Sequence, residues 1–189
     1  MGDRVGPRTE RDKMLAGELY DSNDAVLVSE RAMARGLCDE LQALGASDPA
    51  RKREILETLF GVPVRASIHA PFHCDYGYNI RLGENAYFNV NCVVLDVMRV
   101  TVGANVLVGP GVHIYTALHP MTAGERRTGR EYGKPVTIGD DAWIGGGAIV
   151  CPGVSIGSRC VIGAGSVVTR SIPDDTFAAG NPCRVIRRL

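Results

Sequence analysis

The aliphatic residues Ile138, Ile144, Val150, Ile156, Ile162 and Val168 recur with a strict period of six, and glycine follows at 139, 145, 157 and 163. Four positions after each of the first five stands a small or modest side chain: Ala142, Ala148, Val154, Cys160 and Ser166. An amphipathic helix repeats near 3.6 residues and a half-buried strand near 2, so neither produces this spacing. A βαβ chain also sets aliphatics before glycines, but a block of six leaves no room for its crossover helices. The pattern predicts a parallel β-helix in which each block turns one corner and stacks on an equivalent block, with three short faces per turn.

Upstream the phase is looser. It runs through Ile80, Leu82, Phe88 and Val94, slips by two residues, and resumes at Val102, Val108 and Ile114. The coil is therefore placed at 63–189. Between Ile114 and Ile138 the repeat lapses: residues 117–134 hold Gly124, Glu125, Arg126, Arg127, Gly129, Arg130 and Gly133 with little apolar content. This segment reads as a long loop inserted at one corner, and loops longer than about 12–15 residues in compact domains are usually functional.

Residues 12–62 have helical rather than six-fold patterning. Ser29 stands as a cap before Glu30, with Ala32, Leu37, Leu41 and Leu44 on one stripe, and Gly45 closes the helix. A second helix is predicted from Pro49 to Phe60, ended by Gly61-Val62-Pro63. Residues 1–11 are polar and read as a disordered leader. The fold expected is mainly β, a β-helix with a small N-terminal α-helical segment.

Composition narrows the function classes. Lys+Arg and Asp+Glu balance at 21 each over 189 residues, which gives no basic field for nucleic acid. Aromatics at 6% beside 23 glycines suit a coil of tight corners. Met1 to Asp12 has no apolar signal core, and no apolar run is long enough to span a membrane. A cytoplasmic setting is expected, with the six cysteines reduced rather than paired.

The run Gly111-Val112-His113-Ile114-Tyr115-Thr116-Ala117-Leu118-His119-Pro120 resembles the active-site stretch of the hexapeptide-repeat sugar O-acetyltransferases, the maltose and galactoside O-acetyltransferases. Ala16-Gly17-Glu18-Leu19-Tyr20, Phe72-His73-Cys74-Asp75-Tyr76-Gly77-Tyr78-Asn79-Ile80, Gly133-Lys134-Pro135-Val136-Thr137-Ile138-Gly139 and Gly180-Asn181-Pro182-Cys183-Arg184-Val185-Ile186 extend the similarity to nearly the whole chain. The resemblance implies a left-handed coil, acetyl-CoA as co-substrate, a sugar acceptor such as maltose or glucose, and a homotrimer with active sites between subunits.

Acetyl transfer to a hydroxyl needs a base, a donor for the developing oxyanion, and a held thioester. An imidazole suits the first task near neutral pH. Position alone leaves His119 open between a solvated loop histidine and a base; the resemblance makes it the general base. Asn89 then matches the asparagine beside the reacting centre, whereas a corner asparagine bonding its own backbone is better suited to Asn91. Asp75 and Tyr87 match acceptor-side residues, and Asp21 or Ser22 a further one, with Asp21 preferred. Trp143, the only tryptophan, falls at an outward repeat position, fit either to flank a pantetheine arm or to join a subunit contact. Resemblance assigns the backbone at Gly146 and Ala164 to the pantetheine amides and aligns Arg184 and Arg187 with CoA contacts, where with Thr169-Arg170 they supply positive charge for the nucleotide phosphates. His69/His73 and His113/His119 do not match the histidine spacing of the γ-class carbonic anhydrases, so no metal is expected. Other acceptors (an amino sugar, a lipo-oligosaccharide, a hydroxylated antibiotic) and a non-catalytic scaffold are the alternatives.

Overall fold

In the computed structural model, which describes residues 8–45 and 47–189, short polar side chains open the N-terminal helices. Thr9 and Asp12 form a reciprocal capping box at α1 (Glu10–Leu15). Asp24 accepts from the N–H groups of Val26 and Leu27 at α2 (Ala25–Leu44), and Asp48 accepts from Arg51 at α3 (Pro49–Phe60). Each cap satisfies donors that a first helical turn leaves unpaired. Gly45 and Gly61 close α2 and α3.

Three expectations change here. α2 begins upstream of Ser29, because Asp24 caps it first. Its buried stripe is Leu27, Ala34, Cys38 and Leu41; Ala32 lies about 200° round the helix from Ala34 and is exposed. The leader placed at 1–11 loses Glu10 and Arg11 to α1, while residues 1–7 fall outside the described part.

From Ser67 the chain winds as a parallel β-helix of three sheets. The first stacks Ser67–Ile68, Tyr87–Phe88, Leu107–Val108, Trp143–Ile144, Val161–Ile162 and Thr176–Ala179, and Arg184–Arg188 returns antiparallel as a seventh strand. The second holds Phe72–Cys74, Cys92–Leu95, His113–Tyr115, Ile149–Val150 and Val167–Val168, and the third Ile80–Leu82, Val100–Val102, Val136–Ile138 and Ser155–Ile156. Alternation within each short strand turns Phe88, Val108, Ile144 and Ile162 inward, where they are buried, and Tyr87, Leu107, Trp143 and Val161 outward.

A coil of this kind would leave Ile68 and Phe72 facing water at its N-terminal end. Leu41, Leu56, Leu59 and Phe60 of α2 and α3 join the same core and close it. The rings of Phe60, Phe72 and Phe88 meet edge to face, with centroids 6.2 and 6.0 Å apart. Burying side chains of this size stabilises the fold by about 1.5–3 kcal/mol each.

The excursion at 117–134 is folded rather than a loose loop. Ala117–Leu118 pairs antiparallel with Arg130–Gly133, and a short helix, α4 (Ala123–Arg126), joins them. Tyr20–Asp21 adds a third strand, pairing with Glu131 and Arg130. The ribbon rejoins the coil at Gly133, where a Cβ would lie 2.4 Å from Met98 Cγ and 2.9 Å from Val97 Cγ2, so only glycine fits. No helix among the described residues is long and apolar enough to cross a membrane.

Candidate active site

His119 follows Leu118 at the end of its strand and projects into a cleft of ≈ 270 Å³ between the ribbon, α2 and the coil. Ser22, Arg31, Arg35, Asp75, Leu95, Val97, Ala117 and Glu131 complete the lining. The imidazole is 55% exposed, and its Nε2 lies 3.7 Å from Glu131 Oε2. The second carboxylate oxygen of Glu131 accepts from the Tyr20 hydroxyl. Tyr20 is fully buried, and burial followed by the bond to Glu131 drives its phenol far above the ordinary range, so it stays a donor.

The acceptor-side residues are held just as specifically. Arg31 donates to the Tyr76 hydroxyl and to the Ser22 carbonyl, both at 2.6 Å. Burial, reinforced by the negative charge of Glu131, raises the Asp75 carboxyl above the ordinary carboxylate range, while Arg31 and Arg35 oppose the shift. Asp75, Arg35 and Leu95 also line an adjoining cleft of ≈ 330 Å³ with Cys38 and Cys74, whose sulfurs stand 4.0 Å apart.

Glu131, Tyr20 and Arg31 have no local pattern that marks them as functional, although Tyr20 ends the Ala16-Gly17-Glu18-Leu19-Tyr20 motif. Tyr20 and Glu131 are 111 residues apart and meet only because their strands pair. Strand alternation also separates Asp21 from the cleft. Tyr20 and Glu131 share the inner face of the ribbon; Asp21 and Arg130 share the outer one, beside a different cleft of ≈ 530 Å³. The Asp21 carboxylate accepts from Asn23 N–H at 2.9 Å, and Ser22 takes the place in the His119 cleft for which Asp21 was preferred.

The other expected residues lie elsewhere on the chain. Tyr87, Leu107, Trp143, Val161 and Phe177 form an outward column on the seven-stranded sheet, with Leu107 51% and Trp143 54% exposed. Tyr87 packs against His69, ring centroids 5.1 Å apart, beside a cleft of ≈ 710 Å³. Asn89 ends the Tyr87–Phe88 strand, and its Oδ1 accepts from Val90 N–H at 2.8 Å. The self-bonding corner role expected of Asn91 thus falls to Asn89, which keeps its Nδ2 as donor; Asn91 turns the chain with φ 62°.

Gly146 and Ala164 stack at the corner beside Trp143, and a Cβ at Gly145 would come within 2.5 Å of Ala164 N. Among the described residues the N–H groups of Gly146 and Ala164 donate to no backbone carbonyl, so they are available to amide carbonyls of a bound chain. Arg187 pairs in register with Phe177, its guanidinium 5.9 Å from the ring centre, on the third strand from Trp143. Arg184 donates to the adjacent Cys183 carbonyl. Thr169 and Arg170 are exposed at the corner after Val167–Val168, across the five-stranded sheet. The structure therefore brings together two sets, His119 with Asp75 and Trp143 with Gly146 and Ala164, and puts Arg187 further along the same outward face. It does not join them within one chain.

A hexapeptide coil with a helical plug at one end and a histidine cleft at its single excursion has the architecture of hexapeptide-repeat acyltransferases, and the comparisons agree. The maltose acetyltransferase hexapeptide capping motif matches residues 13–62, and the bacterial transferase hexapeptide, as six repeats, matches 135–170. A maltose O-acetyltransferase from Clostridium difficile is 46% identical, covers 97% of this chain and 99% of its own, and superposes with a TM-score of 0.92. A galactoside acetyltransferase in complex with coenzyme A is 36% identical over 96% of this chain and 92% of its own, TM-score 0.90. The Saccharomyces cerevisiae protein YJL218W, which carries a provisional acetyltransferase name, is 46% identical over 94% of this chain and 92% of its own. The chain belongs to the maltose O-acetyltransferase-like family of hexapeptide-repeat acetyltransferases. It is an acyltransferase.

Proposed function

We propose that the protein is a cytoplasmic, acetyl-CoA-dependent sugar O-acetyltransferase that transfers acetyl directly to a hydroxyl of a sugar such as maltose or glucose. The observation that carries this reading is His119 in a cleft of hydrogen-bonding side chains, with Glu131 behind it and Tyr20 behind Glu131. His119 removes the proton of the acceptor hydroxyl as its oxygen attacks the thioester carbonyl. Glu131 stabilises the imidazolium that forms. The tetrahedral oxyanion takes a hydrogen bond from Asn89 Nδ2, and its collapse breaks the C–S bond. The leaving thiolate regains the proton from His119.

Asp75, Ser22 and Arg31 present acceptors and donors for the sugar. The Cys74 thiol is buried, and its hydrogen bond with the Cys38 thiol together with burial holds its pKa well above the ordinary value. It is therefore a poor nucleophile, which favours direct transfer over an acetyl-enzyme.

Acetyl-CoA would lie along the outward column, its pantetheine beside Trp143 with the Gly146 and Ala164 N–H groups, and its phosphates toward Arg184 and Arg187, with Thr169 and Arg170 contributing from the far corner. Solved relatives bound to coenzyme A and to acetyl coenzyme A support this use of the fold. Because the two sets sit apart on one chain, the reading includes a homotrimer in which the column of one copy, with Tyr87 and Asn89, faces the His119 cleft of the next. The exposed Leu107 and Trp143 suit such a contact. Thiol release from acetyl-CoA, measured with maltose, glucose, a galactoside and an amino sugar, tests the reading. His119→Ala is expected to lower turnover by about 10²–10⁴-fold. Full activity in that variant would exclude the mechanism, preference for the amino sugar would change the acceptor, and no turnover on any acceptor would favour a scaffold.

A further inference from the structure

We propose that Asp96 is a positioning residue for the acceptor end: its carboxylate fixes the Asp75–Tyr76 backbone and thereby aims Asp75 and, through Tyr76, Arg31 into the His119 cleft. The inference rests on that cleft being the acceptor site. Asp96 has no exposed surface. Its Oδ1 accepts from the N–H groups of Asp75 at 3.0 Å and Tyr76 at 2.9 Å. Asn79 Nδ2 donates to the Asp96 carbonyl at 2.7 Å, tying the far end of the same turn to it.

The flanking residues are braced to the strand that carries the base. Thr116 donates to the Leu95 carbonyl through both N–H, at 3.0 Å, and Oγ1, at 2.7 Å. Met98 N–H donates to the same Oγ1 at 2.9 Å. Thr116 directly precedes Ala117–Leu118 and His119. Asp96 thus stands at the middle of a brace joining the Asp75 wall of the cleft to the His119 wall, and a slip at Asp96 would alter their separation. Positioning errors of this kind are expensive for catalysis.

Scaffolding of two N–H groups could be done by a neutral side chain. Instead the position holds a carboxylate whose Oδ2 is buried without a partner among the described residues, an arrangement that costs stability. The groups facing it are Asp75 and Tyr76 from the turn, Cys74 from the adjoining strand and, one layer further, Cys38 from α2. Burial first, and then the charge of Asp75, push the Asp96 carboxyl up to about 7. The brace therefore titrates near neutrality, with the ionised form the stronger acceptor for the two N–H groups.

Two variants and a substrate-free readout test this. Asp96→Leu removes the accepting oxygen, whereas Asp96→Asn keeps it and removes the titration. Hydrogen exchange across 72–79 is expected to quicken in Asp96→Leu and stay slow in Asp96→Asn; unchanged exchange in Asp96→Leu overturns the proposal whatever the acceptor. With maltose and acetyl-CoA as probes, Asp96→Leu should raise the KM for maltose about 10- to 100-fold and leave that for acetyl-CoA unmoved. Asp96→Asn should flatten the pH dependence of the maltose KM around neutrality. Equal losses in both KM values, as general loosening would give, overturn the positioning role. Wild-type protein inactive on maltose would refute the acceptor instead, and the exchange measurement then decides on Asp96.

Discussion

Replacing Glu131 by Gln removes one negative charge behind His119 while keeping an oxygen to accept from Tyr20. The pair is 3.7 Å apart. Coulomb's law gives about 4.5 kcal/mol for unit charges at that separation with an effective dielectric of 20, and about 1 kcal/mol in bulk water. More than half of the imidazole is exposed, so solvent screening selects the lower part of that range, ~1–2 kcal/mol. In the proposed mechanism the positive charge forms on His119 as it takes the proton, and the loss should therefore fall on kcat. About 1–2 kcal/mol corresponds to roughly 5- to 30-fold. Initial rates of thiol release at saturating maltose and acetyl-CoA measure this, with thermal melting as a control for folding. A kcat equal to wild type, or a deficit confined to KM, would refute the charge-stabilising role of Glu131.

Trp143→Ala should raise the KM for acetyl-CoA about tenfold with kcat little changed, because a flanking ring supplies binding rather than transition-state contact; a change in kcat alone would contradict its place beside the pantetheine. Asp96 also makes a stability prediction. Its folded pKa of about 7 exceeds the unfolded value near 3.8, so the native state binds more protons between those pH values. Its contribution to stability is therefore greatest below about pH 4 and falls as pH rises to about 7, on the order of 4 kcal/mol in all. Urea unfolding of wild type and Asp96→Asn from pH 4 to 8 should show the wild type losing ground to the variant over that window, and a constant difference would refute it.

The period of six made the coil legible because the blocks share one local rule: an inward aliphatic, a glycine after it in all but the Val150 and Val168 blocks, and a small residue, as at Ile144, Gly145 and Ala148. α3 was equally plain from Pro49 and Gly61. The start of α2 was not, since Asp24 and Ser29 are both good caps and only packing chooses between them. The ribbon was illegible for a different reason: its first strand, Tyr20–Asp21, has no local pattern and exists through pairing with Glu131 and Arg130. His119 could be singled out by resemblance, whereas Glu131 could not, because its meaning depends on that distant partner. Asp21 and Ser22 are neighbours, yet Asp21 shares the outer face of the ribbon with Arg130 while Ser22, in the turn after the strand, lines the His119 cleft, a choice that depends on the same pairing.

The helical plug also orders events during synthesis. Leu41, Leu56, Leu59 and Phe60 leave the ribosome before the surface that buries them has been made. Their apolar faces stay uncovered until the first rungs, with Phe72 and Phe88, have wound, and Tyr20 waits longer still for Glu131. Tyr20 is thus among the last residues to settle; a chain interrupted at the excursion would leave it without Glu131, and one interrupted before Phe72 and Phe88 would display unburied helices. Such a fragment offers the apolar surface that chaperones and proteases recognise.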